Sequence, residues 1–387
     1  MAKPYTAKQK LKHTAIRFLM TAMRVFPVNR NKIVITNYYG KGYGDNGKAI
    51  AESLRKLDPA LDIVWGVNDD YRASIPETVR PVRYNSIRFL WELSTAGAWV
   101  DNCRKNPGIT KRRQQFYVQT WHGATPLKRI EGDVEAHLDE FYVAGAKNDS
   151  KMADLMLSGC RFFTEICRRA FWYDGEILEC GSPRLDTLFH TNPDKQRQVK
   201  AALGIPEGKK VALYAPTFRA DGQLKCYDMD FCAVLDTLEK KTGEKWVFAI
   251  RLHPNVAHKA DFITYSDALL NATDYPDLYE LLPCADLVIS DYSSIMFEAG
   301  LIHKPVMLFA NDIDEYTADR NFYLDITKLP FPLSQNNEEL LSCLESFDEA
   351  RYLQALKAFN ADMGYSENGT AADTAAERIL KEINARK

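Results

Sequence analysis

"ADLVISDYSSIMFEAGLIHKPVMLF", residues 285 to 309, reads as one continuous strand, helix, strand step. A buried apolar run ends at Ile289 or Ser290, "SDYSS" supplies a turn rich in helix N-cap residues, and a helix begins near Ser294. The apolar "KPVMLF" that follows returns parallel to the first strand, because a helical crossover is what joins parallel neighbours.

The same pattern extends upstream. "KKVALYAPTF" (209 to 218), "DFCAVLDTLEKKTG" and "KWVFAIRLHP" alternate strand with helix, and an earlier series of β-rich and helical runs reads "KIVITN" (32 to 37), "GKAIAESLRKL", "LDIVWGV", "AWVDNC", "FYVQT" and "FYVAGA". Such alternation predicts an α/β protein with parallel sheets. Two series in 387 residues, 46% of them hydrophobic, predict two doubly wound, Rossmann-like domains joined near "GSPRLDTLFHTNPDKQ" (181 to 196). The expected boundaries are an N-terminal helix over 1–30, a first domain over 31–185 and a second over 186–387. Ligands of parallel sheets sit outside the carboxyl ends of the strands, so binding is expected in a cleft between the halves.

Charge narrows the partners. With 50 Lys and Arg against 52 Asp and Glu the net charge is -2, so no nucleic-acid partner is expected. The first 44 residues nevertheless hold nine Lys or Arg and no acid. From Lys8 to Pro27, Leu11, Ala15, Phe18, Leu19, Ala22 and Phe26 recur at helical spacing among those cations. This predicts a basic amphipathic helix lying on an anionic membrane surface, with packing on the protein itself as the alternative. No apolar run reaches the roughly 18 residues of a spanning helix, and no signal-peptide pattern is present. Eight scattered cysteines without a CxxC pair read as reduced thiols, and no metal site or tightly bound cofactor is expected.

"GYGDNG" (42 to 47) satisfies G-x-G-x-x-G behind a strand, with Asp69 and Asp70 roughly twenty residues on. "NYYGK" separates it from the strand, however, so a glycine-rich substrate loop or a simple turn is preferred to a nicotinamide site.

Polar residues collect just behind the strands. In "YVQTWHGATPLKRI" (117 to 130), His122 follows a strand directly, with Lys128 and Arg129 beyond it. From the residues alone it is either a functional imidazole or a strand-end side chain capping a loop. In the second half, N–H groups at the helix start with the Ser293 and Ser294 hydroxyls form an anion site, and Glu298 lies one turn inside for a ribose. An ordinary N-cap is the alternative there. "YAPTFR" leaves Thr217 and Arg219 at one neighbouring strand end, and "RLHPN" leaves Arg251, His253 and Asn255 at another. Together they describe a nucleotide-diphosphate pocket.

With these pieces assembled, the chain resembles the CDP-glycerol glycerophosphotransferase family of teichoic acid synthesis. "GYGDNGKAI", "QTWHGATPLK", "GSPRLD", "YAPTFR", "RLHPN" and "SDYSSIMFEAGLIHKPV" carry the resemblance in family order. It implies a GT-B-like pair of domains at the cytoplasmic face of the membrane, a CDP-glycerol or CDP-ribitol donor, and an undecaprenyl-diphosphate-linked saccharide or growing polymer as acceptor. It also implies that His122 and His253 are the critical histidines and that the turn from Asp291 to Ser294 holds the donor's diphosphate. Asp45, Asn46, Gly123, Thr125 and Lys128 fall in the motifs assigned to the acceptor. This sequence departs from the family at Ala124 and in the residue before Asp45, which bears on the acceptor more than on the chemistry. The mechanism expected has His122 as general base and His253 at the transferring phosphate or the departing CMP. A sugar-transferring enzyme of the same architecture is the nearest rival. Lack of an appended domain favours priming or short-chain extension, and homo-oligomerisation is compatible with the sequence.

Overall fold

Seven short strands build the first sheet: β1 (Asn29–Thr36), β2 (Asp62–Val67), β3 (Arg80–Arg83), β4 (Ala96–Asp101), β5 (Phe116–Gln119), β6 (Leu155–Ser158) and β7 (Glu176–Glu179). All pair in parallel, in the order β3-β2-β1-β4-β5-β6-β7. The computed structural model describes residues 6–190, 192–217, 219, 224–252, 263–318 and 321–386. They fall into two compact units, the first holding residues up to Ala124, Ile130–Asp186 and the chain from Tyr365 on.

Successive strand residues point to opposite faces, so β1 feeds two cores at once. Ile33 and Ile35 pack with Ile50 and Leu54 of the helix Asp45–Leu57, and with Ala375, Ile379 and Ile383 of the helix Ala371–Ala385. Val34 faces the other way, with Trp99 and Tyr117, onto Met20 and onto Phe89 and Leu93 of the helix Ile87–Thr95.

Two boundaries differ from the sequence expectation. The last helix completes the first unit's core through Ala375, Ala376, Ile379 and Ile383, so it does not belong to a second domain running from 186 to 387. Asp186 fixes its start, accepting from the backbone N–H groups of Ala371 (3.0 Å) and Ala372 (2.7 Å). The N-terminal helix Ala7–Ala22 also belongs to this unit. Thr6 and Gln9 close a capping box at its start; Met20 is buried, and His13 is buried and stacked on Phe141 at 5.2 Å. Leu11 and Phe18 remain 73% exposed. "FYVAGA" proves helical, inside Glu140–Met152, while "LMLS" and "EILE" supply the two strands that complete the sheet.

The second unit comprises Thr125–Arg129 and Thr187–Gly364. Its strands β8 (Lys210–Tyr214), β9 (Trp246–Ile250), β10 (Leu269–Asn271), β11 (Leu287–Ser290), β12 (Val306–Phe309) and β13 (Leu333–Ser334) form a parallel sheet in the order β10-β9-β8-β11-β12-β13. Tyr214, Phe248, Ile250, Ile289 and Phe309 centre its core against Leu340 and Leu344. Both sheets are doubly wound, and each reverses direction once, between β1 and β4 and between β8 and β11. Among the described residues no helix is long and apolar enough to cross a membrane.

Candidate active site

In the first unit the polar residues gather at the carboxyl ends of β1, β4 and β5. His122 lies three residues beyond the end of β5, and its ring stacks on Trp121 (centroids 4.2 Å apart, 28° between planes). Nδ1 is 2.7 Å from the backbone carbonyl oxygen of Asn102, at the end of β4. A carbonyl cannot donate, so Nδ1 carries the proton and Nε2 keeps its lone pair. Burial lowers the imidazole pKa below its usual value, against the opposing pull of the Asn102 carbonyl, so the ring is neutral at pH 7.

The loop carrying His122 is clamped from two sides. Asn46 donates through Nδ2 to the Trp121 carbonyl (3.0 Å) and accepts from the Arg184 backbone N–H (3.0 Å). Arg184 donates through Nη1 to the His122 carbonyl (2.8 Å) and to Oδ2 of Asp45 (2.9 Å). Asp45 also accepts from the Tyr38 hydroxyl (3.0 Å) and the Asn102 amide (3.1 Å). Burial opposes its ionisation, but Arg184 and the Asn46 N–H offset that cost and hold the carboxyl below its usual range. Asp45 and Asn46, expected at the acceptor, therefore position the histidine loop.

Four non-glycine residues here adopt left-handed backbone: Tyr38 (φ 41°), Tyr39 (58°), Asp45 (54°) and Trp121 (54°). Each costs of order 1–3 kcal/mol, which the surrounding bonds must offset; such strain gathers at functional sites. Gly123 is half-buried, and a Cβ there would meet only the Trp121 ring, at 3.9 Å.

In the second unit, Asp291 follows β11 and accepts from the Thr217 backbone N–H (2.8 and 3.0 Å), the Tyr292 N–H (2.6 Å) and Nη2 of Arg219 (2.8 Å). Arg219 also binds Asp312 through Nε (2.5 Å) and Nη2 (3.1 Å), and lies over the rings of Tyr292 and Tyr316. Its guanidinium is thus spent between two carboxylates. Arg251 donates to the carbonyls of Ala272 (3.1 Å) and Tyr275 (2.5 Å), tying down the chain after β10. Glu298 is buried, with the Tyr279 hydroxyl at 3.5 Å. These residues hold the strand ends together.

Thr217, Ser293 and Ser294 keep more capacity. The Thr217 hydroxyl is buried with no partner among the described residues, Ser293 makes only a long 3.5 Å contact to the Ile295 N–H, and Ser294 precedes the helix Ile295–Leu301 without a side-chain capping bond. Thr217 and the serines flank the sheet's reversal between β8 and β11. Thr125 is buried, Lys128 sits over the Tyr316 ring at 5.1 Å, and the Leu127 carbonyl accepts from the Tyr323 N–H (2.8 Å), all within this unit. His253 and Asn255 lie outside the described residues. Among the described residues no group of three or more His, Cys, Asp or Glu side chains is placed to hold a metal ion.

The sequence reading missed Asn102, Arg184, Tyr38, Asp312 and Tyr292. Arg184 had a signal, its place in "GSPRLD"; Asn102 acts through its backbone carbonyl, which no side-chain pattern reveals.

Two doubly wound parallel sheets with polar clusters at their reversal points define a two-unit α/β protein whose binding groups are expected at those points. Residues 18–382 match the family described as CDP-Glycerol:Poly(glycerophosphate) glycerophosphotransferase, and the chain belongs to that family. It is 32% identical over 368 residues to a teichoic acid glycerol-phosphate transferase of Staphylococcus aureus, covering 91% of this chain and 94% of that protein. It is also 32% identical over 370 residues to a teichoic acid poly(glycerol phosphate) polymerase of Staphylococcus epidermidis, covering 92% of this chain and 51% of the relative. The chain thus spans about half the length of that polymerase. A solved structure of the wall teichoic acid polymerase TagF superposes with a TM-score of 0.83 at 30% identity, covering 97% of each chain.

Proposed function

We propose that the protein transfers glycerol phosphate from CDP-glycerol to a hydroxyl of a membrane lipid-linked acceptor and releases CMP, in the synthesis of teichoic acid or a related surface polymer. One observation carries the catalytic part: His122 is neutral, its Nδ1 proton is committed to the Asn102 carbonyl, and Nε2 is left as a proton acceptor. In the reaction the acceptor oxygen bonds to the phosphorus that bears glycerol. The bond from that phosphorus to the bridging oxygen breaks, CMP leaves with the electron pair, and Nε2 takes the hydroxyl proton.

Thr217, Ser293 and Ser294 are the donor ligands in this reading, with His253 and Asn255 completing the set. Asp291, Arg219, Arg251 and Glu298 shape the strand ends that present them. Gly123 leaves room beside His122, and Thr125 and Lys128 remain candidates for the acceptor. A glycerol donor is favoured over ribitol because the relatives named for glycerol phosphate reach 32% identity, against 25% and 26% for a poly(ribitol-phosphate) polymerase and a ribitol-phosphate primase. The acceptor is an undecaprenyl-diphosphate-linked saccharide or a growing polymer at the cytoplasmic face of the membrane. Exposed Leu11, Phe18 and Val25, among the cations of an acid-free segment, are the surface proposed to meet anionic lipid.

Phosphorus NMR of purified protein with CDP-glycerol and a lipid-linked acceptor tests the reaction. A new phosphodiester signal rising with CMP is expected. Hydrolysis to free glycerol phosphate, or turnover of UDP-glucose instead, would reject it.

A further inference from the structure

At the first sheet's reversal between β1 and β4 lies a cavity of about 340 Å³, lined by Tyr39, Tyr84, Phe141, Tyr142, Asn85 and Asn106 over the buried cations Arg104 and Lys105. This is where a doubly wound sheet receives a ligand. Two residues of its lining, Tyr39 and Arg104, directly follow residues that contact His122. Tyr38, one residue before Tyr39, has its ring 5.5 Å from that of His122. Asn102 and Cys103, just before Arg104, face Nδ1 of the same histidine at 2.7 and 3.9 Å.

The charges decide what fits. Arg104 is bonded to Glu131 (2.7 Å), Asp149 (3.3 Å) and Ser150 (2.9 Å). Lys105 is bonded to Asp101 (2.7 Å). Both cations are matched by three carboxylates, so an incoming phosphate gains no uncommitted positive charge and meets surplus acid. What the walls offer is aromatic faces, hydroxyls and amides, the complement of a neutral polyhydroxylated ring with apolar C–H faces.

The walls are also held in unusual backbone. Tyr39 (φ 58°) and Asn85 (φ 58°) are left-handed, and Tyr39 stays 45% exposed at that cost. Gly40 permits the approach: at φ +89° a Cβ there would lie 2.9 Å from Cβ of Tyr84.

From this we infer that the cavity is a saccharide subsite, holding an uncharged sugar unit of the acceptor. The inference rests on the transferase reading for the identity of the sugar's carrier, and on the cavity alone for its chemistry.

Two experiments separate those supports. Titration calorimetry of the full chain with methyl glucoside and methyl N-acetylglucosaminide, against inorganic phosphate, needs no donor. Binding of a glycoside that is weakened at least tenfold by Tyr39→Ala and by Phe141→Ala is expected, without competition from phosphate. In turnover, the same variants should raise KM for a saccharide-bearing acceptor about tenfold while leaving KM for CDP-glycerol in place, a split that general loosening of the fold does not produce. Phosphate displacing the glycoside, or glycoside binding and acceptor KM both unmoved by the two variants, would overturn the inference. Absence of CMP release by the wild type would reject the transferase reading, and the glycoside titration would still decide the cavity.

Discussion

The backbone carbonyl oxygen of Asn102 lies 2.7 Å from Nδ1 of His122 and fixes which nitrogen of that ring is free. The base is therefore set by the main chain at the end of β4, a group that substitution cannot remove. Nitrogen NMR of the labelled histidine should show Nδ1 protonated and Nε2 unprotonated at pH 7.5. His122→Ala should lower kcat about 10²- to 10⁴-fold, with KM for CDP-glycerol little changed.

Because burial lowers the His122 pKa, the neutral, active form persists below the ordinary histidine range. Activity should hold as pH falls to 6.5 and drop only below it. An acid limb in kcat/KM centred above pH 7 would contradict the assignment of this histidine as base.

Arg184 joins the Asp45 carboxylate to the His122 carbonyl, and both charged side chains are buried, at 4% and 6% exposure. Arg184→Ala strands a buried anion and should cost about 3–5 kcal/mol of stability in denaturant unfolding. Arg184→Lys keeps the charge but not the fork, so it should recover only part of that stability and leave kcat impaired.

Glu367 is half-buried and accepts from the Ser182 N–H, and desolvation pushes its carboxyl up to about 8. The folded state thus binds a proton that the unfolded state releases near the ordinary carboxylate pKa. That contribution is complete below the unfolded pKa and is lost as pH rises through about 8. Thermal melting of the wild type should fall between pH 6 and 9 relative to Glu367→Gln, which mimics the protonated acid. Parallel profiles would show that Glu367 stays ionised.

Met20 and His13 are buried while Leu11, Phe18 and Val25 are exposed, so one helical segment serves two surfaces. Removing residues 1–28 should destabilise the first unit by stripping Met20 from its core. Replacing Leu11, Phe18 and Val25 with serine should leave melting nearly unchanged and weaken binding to anionic vesicles. Unaltered vesicle binding would remove this surface from the account.

The alternation of strands and helices was legible because each strand is a short apolar run and each crossover a helical pattern of its own. "LVIS" and "SDYSS" placed β11 and its turn to within a residue. What the sequence concealed is pairing over distance. Asp45 meets Arg184, Asp291 meets Thr217 and Arg219, and the Ala371–Ala385 helix returns to a sheet begun at β1. A polar residue behind a strand looks the same whether it faces a ligand or another strand end, so the bonds that tie Asp45, Asp291 and Arg219 to distant segments left no mark in the sequence. "FYVAGA" misled for a local reason: Phe, Tyr and Val favour strands, but one face of that run packs as a helix.

The most direct test of the central claim is acceptor-dependent CMP release by the purified protein, given CDP-glycerol, CDP-ribitol or UDP-glucose with a lipid-linked saccharide acceptor, in wild type and His122→Ala. CMP from CDP-glycerol that requires the acceptor and falls at least a hundredfold in the variant is the predicted result. Undiminished release by His122→Ala, or no release from either CDP-alditol, would contradict it.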